Sequence, residues 1–202
     1  MGLGGVLGLP ETPAAVIVFA HGSGSGRFSP RNNFVARALR EAGFATLLLD
    51  LLTEEEAQDR ANVFDIPLLA ERLLLATAWV KQQPDLAVLP VCYFGASTGA
   101  AAALVAAASA ASPVAAIVSR GGRPDLAGAD LSNVRAPTLL IVGGADPAVL
   151  DLNRTALAEL RCEKHLVVVP GATHLFEEPG ALEQVTGLAS SWFNTHLPRA
   201  AA

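Results

Sequence analysis

Charge is scarce in this sequence: Asp, Glu, Lys and Arg together make up 16% of 202 residues, and the balance is acidic, with a formal net charge of −5. Without a basic excess there is no electrostatic footprint for a nucleic-acid backbone, so no nucleic-acid partner is expected. Cysteine is nearly absent. Cys92 and Cys162 form neither a metal-binding spacing nor a disulfide framework, which reads as buried or idle thiols in a reducing compartment. The four histidines fall into no H-E-x-x-H or comparable cluster, and neither a metal nor an organic cofactor is expected. Long apolar runs are missing too. The best, Ala100 to Ala111, is shorter than the roughly 20 residues of a membrane span and is flanked by serines, so no membrane association is expected. The opening MGLGGVLGLP lacks the basic start and the apolar length of a signal peptide, and a cytoplasmic location is expected. There is no internal repeat, no linker, and no low-complexity segment beyond an enrichment in alanine.

What the sequence does have is apolar residues, 51% of it with a mean hydropathy of +0.41, enough to bury the core of a single domain spanning 1–202. They alternate between short β-branched runs and longer helical ones. Candidate strands are Ala15 to Ala20, Ala45 to Leu49, Val88 to Phe94, Val114 to Ser119, Thr138 to Val142 and Leu166 to Val169. Their near-continuous apolarity marks strands buried on both faces, hence a mostly parallel sheet of about six strands between helical layers. Helices are expected at Asn32 to Glu41, Pro67 to Gln82, Thr98 to Ala110, Leu150 to Leu160 and Ala181 to Thr195. The acidic stretch from Thr53 to Asp65 reads as a solvated connection, the only segment with the makings of a small lid.

In a sheet of this kind the loops leaving the carboxyl ends of the strands open onto one edge. Those loops are HGSGSG from His21, GASTG from Gly95, GGAD from Gly143 and GATH from Gly171. They bring a serine, an acid and a histidine to that edge in the order Ser97, Asp146, His174. Gly95-Ala96-Ser97-Thr98-Gly99 fits the G-x-S-x-G nucleophile elbow in its strand-to-helix setting, and the order of the triad is that of α/β-hydrolases. The chain resembles that superfamily over nearly its whole length. HGSGSG, DLLTEEE and SRGGRPDL make it most similar to dienelactone hydrolase-like proteins. The resemblance implies a compact α/β-hydrolase fold with no large cap domain and with the N-terminal strands shortened or missing. In one respect it departs: the enzymes named for dienelactone cleavage use a cysteine nucleophile, and this elbow carries Ser97.

The chemistry implied is acyl transfer through serine. An alcohol needs a base to become a nucleophile, so Ser97 would attack, His174 would carry its proton, and Asp146 would fix the imidazole tautomer. The backbone N–H of Thr98 and that of Ser23, with Gly24 as a competitor, would receive the oxyanion. Gly22, Gly24 and Arg120 complete the expected substrate-binding set. Arg120 would hold a substrate carboxylate or phosphate, or instead brace the edge through Asp125 or the loop of Asp146. Arg27 and Arg31 flank the oxyanion loop as weaker candidates of the same kind, and Arg123 lies close to Arg120.

Other readings stay open. Asp146 before Pro147 is also a helix N-cap, Asp125 and Asp130 are rival acids, and Glu177 and Glu178 read as first-turn helix acids. His21 suits loop shaping through its ring, while His165 and His196 suit solvated or capping roles. The expected partner is a small-molecule ester and the expected assembly a monomer or homodimer. Thioester hydrolysis or acyl transfer, and a binding scaffold that keeps the triad without turnover, are the alternatives.

Overall fold

The structure, a computed structural model, describes residues 2–109 and 114–198. Seven strands form one sheet in the order β1-β3-β2-β4-β5-β6-β7. They are β1 (Gly5–Gly8), β2 (Val16–Ala20), β3 (Ala45–Leu49), β4 (Val91–Ala96), β5 (Ile117–Arg120), β6 (Thr138–Gly143) and β7 (Lys164–Val169). All neighbours pair in parallel except β1, which runs antiparallel to β3 at the edge with Gly5 opposite Leu49. This four-residue strand raises the count above the six that hydrophobic runs suggest. Flanked by glycine and largely exposed, GVLG has neither the length nor the buried alternation that makes a strand visible in sequence.

The helices are α1 (Pro30–Glu41), α2 (Arg60–Val63), α3 (Ile66–Gln82), α4 (Thr98–Ala108), α5 (Pro147–Glu159) and α6 (Ala181–His196). Side chains that alternate along β2, β4 and β5 feed two separate cores. Val16, Val18, Tyr93 and Ile117 pack toward α3, α4 and α5, while Ile17, Phe19, Phe94 and Val118 pack toward α1 and α6. A strand buried on both faces cannot show polar alternation, which is why these runs read as uninterrupted apolar segments.

Boundaries moved where local chemistry outweighs hydrophobicity. The strand expected from Val88 starts only at Val91, because Val88 is 87% exposed in a turn whose Ala87 and Leu89 carbonyls accept from the Lys81 ammonium. That strand runs past Phe94 to Ala96, since Gly95 and Ala96 pair with Ser119 and Arg120 of β5. The strand expected from Val114 begins at Ile117. α5 starts at Pro147 rather than Leu150, with Asp146 as its N-cap. Ala110 and Ala111, the expected end of α4 and of the apolar run, lie outside the described residues. Among the described residues no helix is long and apolar enough to cross a membrane.

Candidate active site

Ser97 occupies the junction of β4 and α4 with φ 50 and ψ −123, a backbone conformation that costs a non-glycine residue free energy and turns its side chain out of the sheet. The turn closes only because its neighbours are small. A Cβ on Gly95 would come within 2.5 Å of the Ala100 Cα, and one on Gly22 within 2.8 Å of the Ser97 Cβ. The Ser97 carbonyl accepts from the Ala100 and Arg123 amides at 3.1 and 3.0 Å, and its amide donates to the Arg120 carbonyl at 3.3 Å. Its hydroxyl takes no part in capping α4, which leaves it available for chemistry.

His174 lies in the loop after β7. Its Nδ1 is 2.8 Å from Asp146 Oδ2, while Asp146 Oδ1 accepts from the Val149 amide at 3.4 Å. One Asp146 oxygen thus caps α5 while the other meets the imidazole. The loop after β7 packs closely on Gly121, where a Cβ would lie 3.0 Å from the His174 carbonyl. No hydrogen bond joins Ser97 to His174, as is common before substrate enters such sites.

Two acids that sequence alone assigned to a first helical turn do other work, because α6 begins only at Ala181. Glu178 accepts from the Thr173 amide and hydroxyl at 3.1 and 2.6 Å, pinning the residue before His174. Those bonds hold its carboxyl below the usual value, the Thr173 hydroxyl contributing most. Glu177 meets Arg31 at 2.8 Å and ties this loop to the start of α1. Asn153, fully buried, donates to the Gly122 carbonyl at 2.9 Å and fixes the loop after β5. The sequence signal for these residues is thin, since each acts through a loop geometry that only the fold supplies.

The glycine-rich loop after β2 is held by His21. Nδ1 lies 2.9 Å from the Gly22 carbonyl, and Nε2 accepts from the Leu51 amide at 3.0 Å, which makes the ring neutral with its proton on Nδ1. Burial lowers its pKa, opposed by the Gly22 bond. Arg27 is tied to Asp50 through both its backbone amide and its guanidinium. Ser23, the expected second oxyanion donor, directs its amide at Thr98 Oγ1, 3.1 Å away. Gly24 follows with φ 67 at the loop's tip. A cavity of about 290 Å³ opens beside this loop, lined by Gly22, Ser23, Gly24 and Thr98 on one side and Thr53, Ala57 and Val63 on the other. The segment read as a solvated connection is thus a folded wall. Thr53 and Glu56 bond reciprocally, and Glu56 pairs with Arg72 of α3 at 2.9 Å.

Arg120 is where sequence reasoning misplaces a side chain. It ends β5 at the correct edge, yet its guanidinium turns to the α1 and α6 face, 7% exposed, 6.0 Å from the Phe176 ring and 3.5 Å from Asn32 Oδ1. It does not line the cavity. Nor does it brace the edge through Asp125, which Arg123 holds with two bonds at 2.8 and 2.7 Å. Burial first, and the nearby Arg31 second, lower its pKa to about 10, so it remains charged at neutral pH. Asp130 and His165 stand apart from these contacts, while His196 bonds Trp192 and Glu163 at the end of α6. Cys92 is a buried thiol pushed up to about 12 by desolvation, and among the described residues no cluster could hold a metal ion.

Comparison with known proteins matches residues 3–189 to the dienelactone hydrolase family. A dienelactone hydrolase from Anabaena variabilis shares 56% identity and superposes with a TM-score of 0.93, covering 97% of this chain and 93% of that one. Two Mycobacterium tuberculosis proteins provisionally named phosphoribosyl transferases are 64% identical over 193 residues, 96% of this chain. This chain spans only 44% of their length. Est1E from Butyrivibrio proteoclasticus shares the fold, with a TM-score of 0.80 at 17% identity and coverage of 96% and 94%.

Proposed function

We propose, for a chain that belongs to the dienelactone hydrolase family, that it is a serine hydrolase cleaving small, short-chain carboxylic esters through an acyl-enzyme. The observation that carries this is the contact between His174 Nδ1 and Asp146 at 2.8 Å behind a strained, uncapped Ser97. With the imidazole anchored at Nδ1, Nε2 is the atom left to take the Ser97 proton as Oγ bonds the acyl carbon. The same proton then goes to the leaving oxygen, and water reverses the sequence to release the acid. The Thr98 and Ser23 amides bind the oxyanion.

Size sets the preference. A cavity of about 290 Å³, walled by Ala57 and Val63, suits a short acyl group. A p-nitrophenyl ester series from acetate to dodecanoate, measured against Ser97→Ala as background, is expected to peak at acetate or butyrate. A maximum at eight carbons or more would contradict it. The relatives' name gives no competing site here: the phosphoribosyl transferase designation belongs to proteins of which this chain matches less than half.

A further inference from the structure

The amide proposed as the second oxyanion donor is engaged. Ser23 N–H donates to the Thr98 hydroxyl at 3.1 Å, so in the resting enzyme it meets a side-chain oxygen. Thr98 is 2% exposed, heads α4 directly after the elbow, and lines the cavity together with Ser23. A threonine hydroxyl both accepts and donates. Its oxygen is taken by Ser23, which leaves its proton to be donated to a group in the cavity that Thr98 lines.

We infer that the Thr98 side-chain hydroxyl is a third donor to the oxyanion, acting beside the Thr98 and Ser23 amides. The inference rests on the reading of Ser97 as nucleophile. One residue then supplies two donors, its N–H and its O–H, and the bond from Ser23 keeps the hydroxyl oriented before substrate arrives. As Ser97 Oγ bonds the carbonyl carbon, the Ser97 proton passes to His174 Nε2 and the carbonyl π pair moves onto oxygen. Thr98 keeps its proton throughout and contributes a hydrogen bond that strengthens as negative charge develops. On collapse the pair returns, the bond from carbon to the leaving oxygen breaks, and His174 protonates that oxygen.

Three variants separate a donor from a packing residue. Thr98→Val keeps the shape and removes the hydroxyl; Thr98→Ser keeps the hydroxyl and removes the methyl; Ser97→Ala gauges the parent reading. With p-nitrophenyl acetate, Thr98→Val is expected to lose roughly 10²–10³-fold in kcat with KM within about threefold, on the scale of a lost oxyanion donor. Its affinity for a boronic acid that mimics the tetrahedral intermediate should fall by a similar factor. Thr98→Ser should stay within about threefold of the parent on both measures. Parental kcat in Thr98→Val, an unchanged boronate affinity, or an equal loss in Thr98→Ser would each overturn the inference. If Thr98→Val does not fold, Thr98→Ala measured against Thr98→Ser isolates the hydroxyl, and equal kcat in that pair overturns the inference. Turnover that survives in Ser97→Ala would instead remove the nucleophile reading itself.

Discussion

Asp146 carries two jobs on two oxygens, and substitution can part them. Asparagine caps a helix about as well as aspartate, so Asp146→Asn preserves the bond from the Val149 amide and should shift stability by less than about 0.5 kcal/mol. It also presents an amide to His174 Nδ1, which disfavours the tautomer that leaves Nε2 free to accept a proton. In a triad whose geometry stayed intact, the corresponding change lowered kcat about 10⁴-fold. The expected result is therefore a large fall in kcat with a nearly unchanged Tm. Parental kcat in Asp146→Asn at an unchanged Tm would show Asp146 to be a cap and nothing more.

The same scale shows what a sequence can carry about a site. Ser97, Asp146 and His174 stand out as candidates because Ser97 sits in a G-x-S-x-G elbow and the three follow one another in the α/β-hydrolase order. Glu178 and Arg120 are not. Glu178 matters through five residues of loop that fold back on Thr173, and Arg120 turns away from the cavity because strand alternation points residue 120 at the α1 and α6 face.

At the scale of elements, the glycine-rich loop after β2 and the segment after β3 are joined by one neutral ring. Burial holds the His21 pKa below its ordinary value of 6.5, so the native state binds fewer protons than the unfolded chain near that pH. Its contribution is accordingly complete above about pH 6.5 and is lost as pH falls through the lowered folded value. Protonation converts Nε2 from an acceptor into a donor and expels the Leu51 amide. The amide-exchange protection factor at Leu51 should be constant above about pH 7 and decline as pH falls below about 6.5, with no such decline in His21→Gln. Protection in the parent that tracks His21→Gln across the acid range would show that the ring does not titrate in this linkage. β1 belongs to the same scale: a four-residue edge strand between glycines is set by its pairing with Leu47, Leu48 and Leu49, a long-range cause that no local window contains.

For the molecule as a whole, the six parallel strands place their carboxyl ends on one rim, and that topology gathers the members of the proposed triad. β4, β6 and β7 deliver its three members, the loop after β2 closes one flank, and the 53–63 wall bounds the cavity. The central claim is that this rim activates Ser97. It is tested most directly by intact mass after treatment with a fluorophosphonate, for the protein and for Ser97→Ala. The expected outcome is a single adduct on the protein and none on the variant. An unmodified, folded protein, or an adduct that persists in Ser97→Ala, would contradict it.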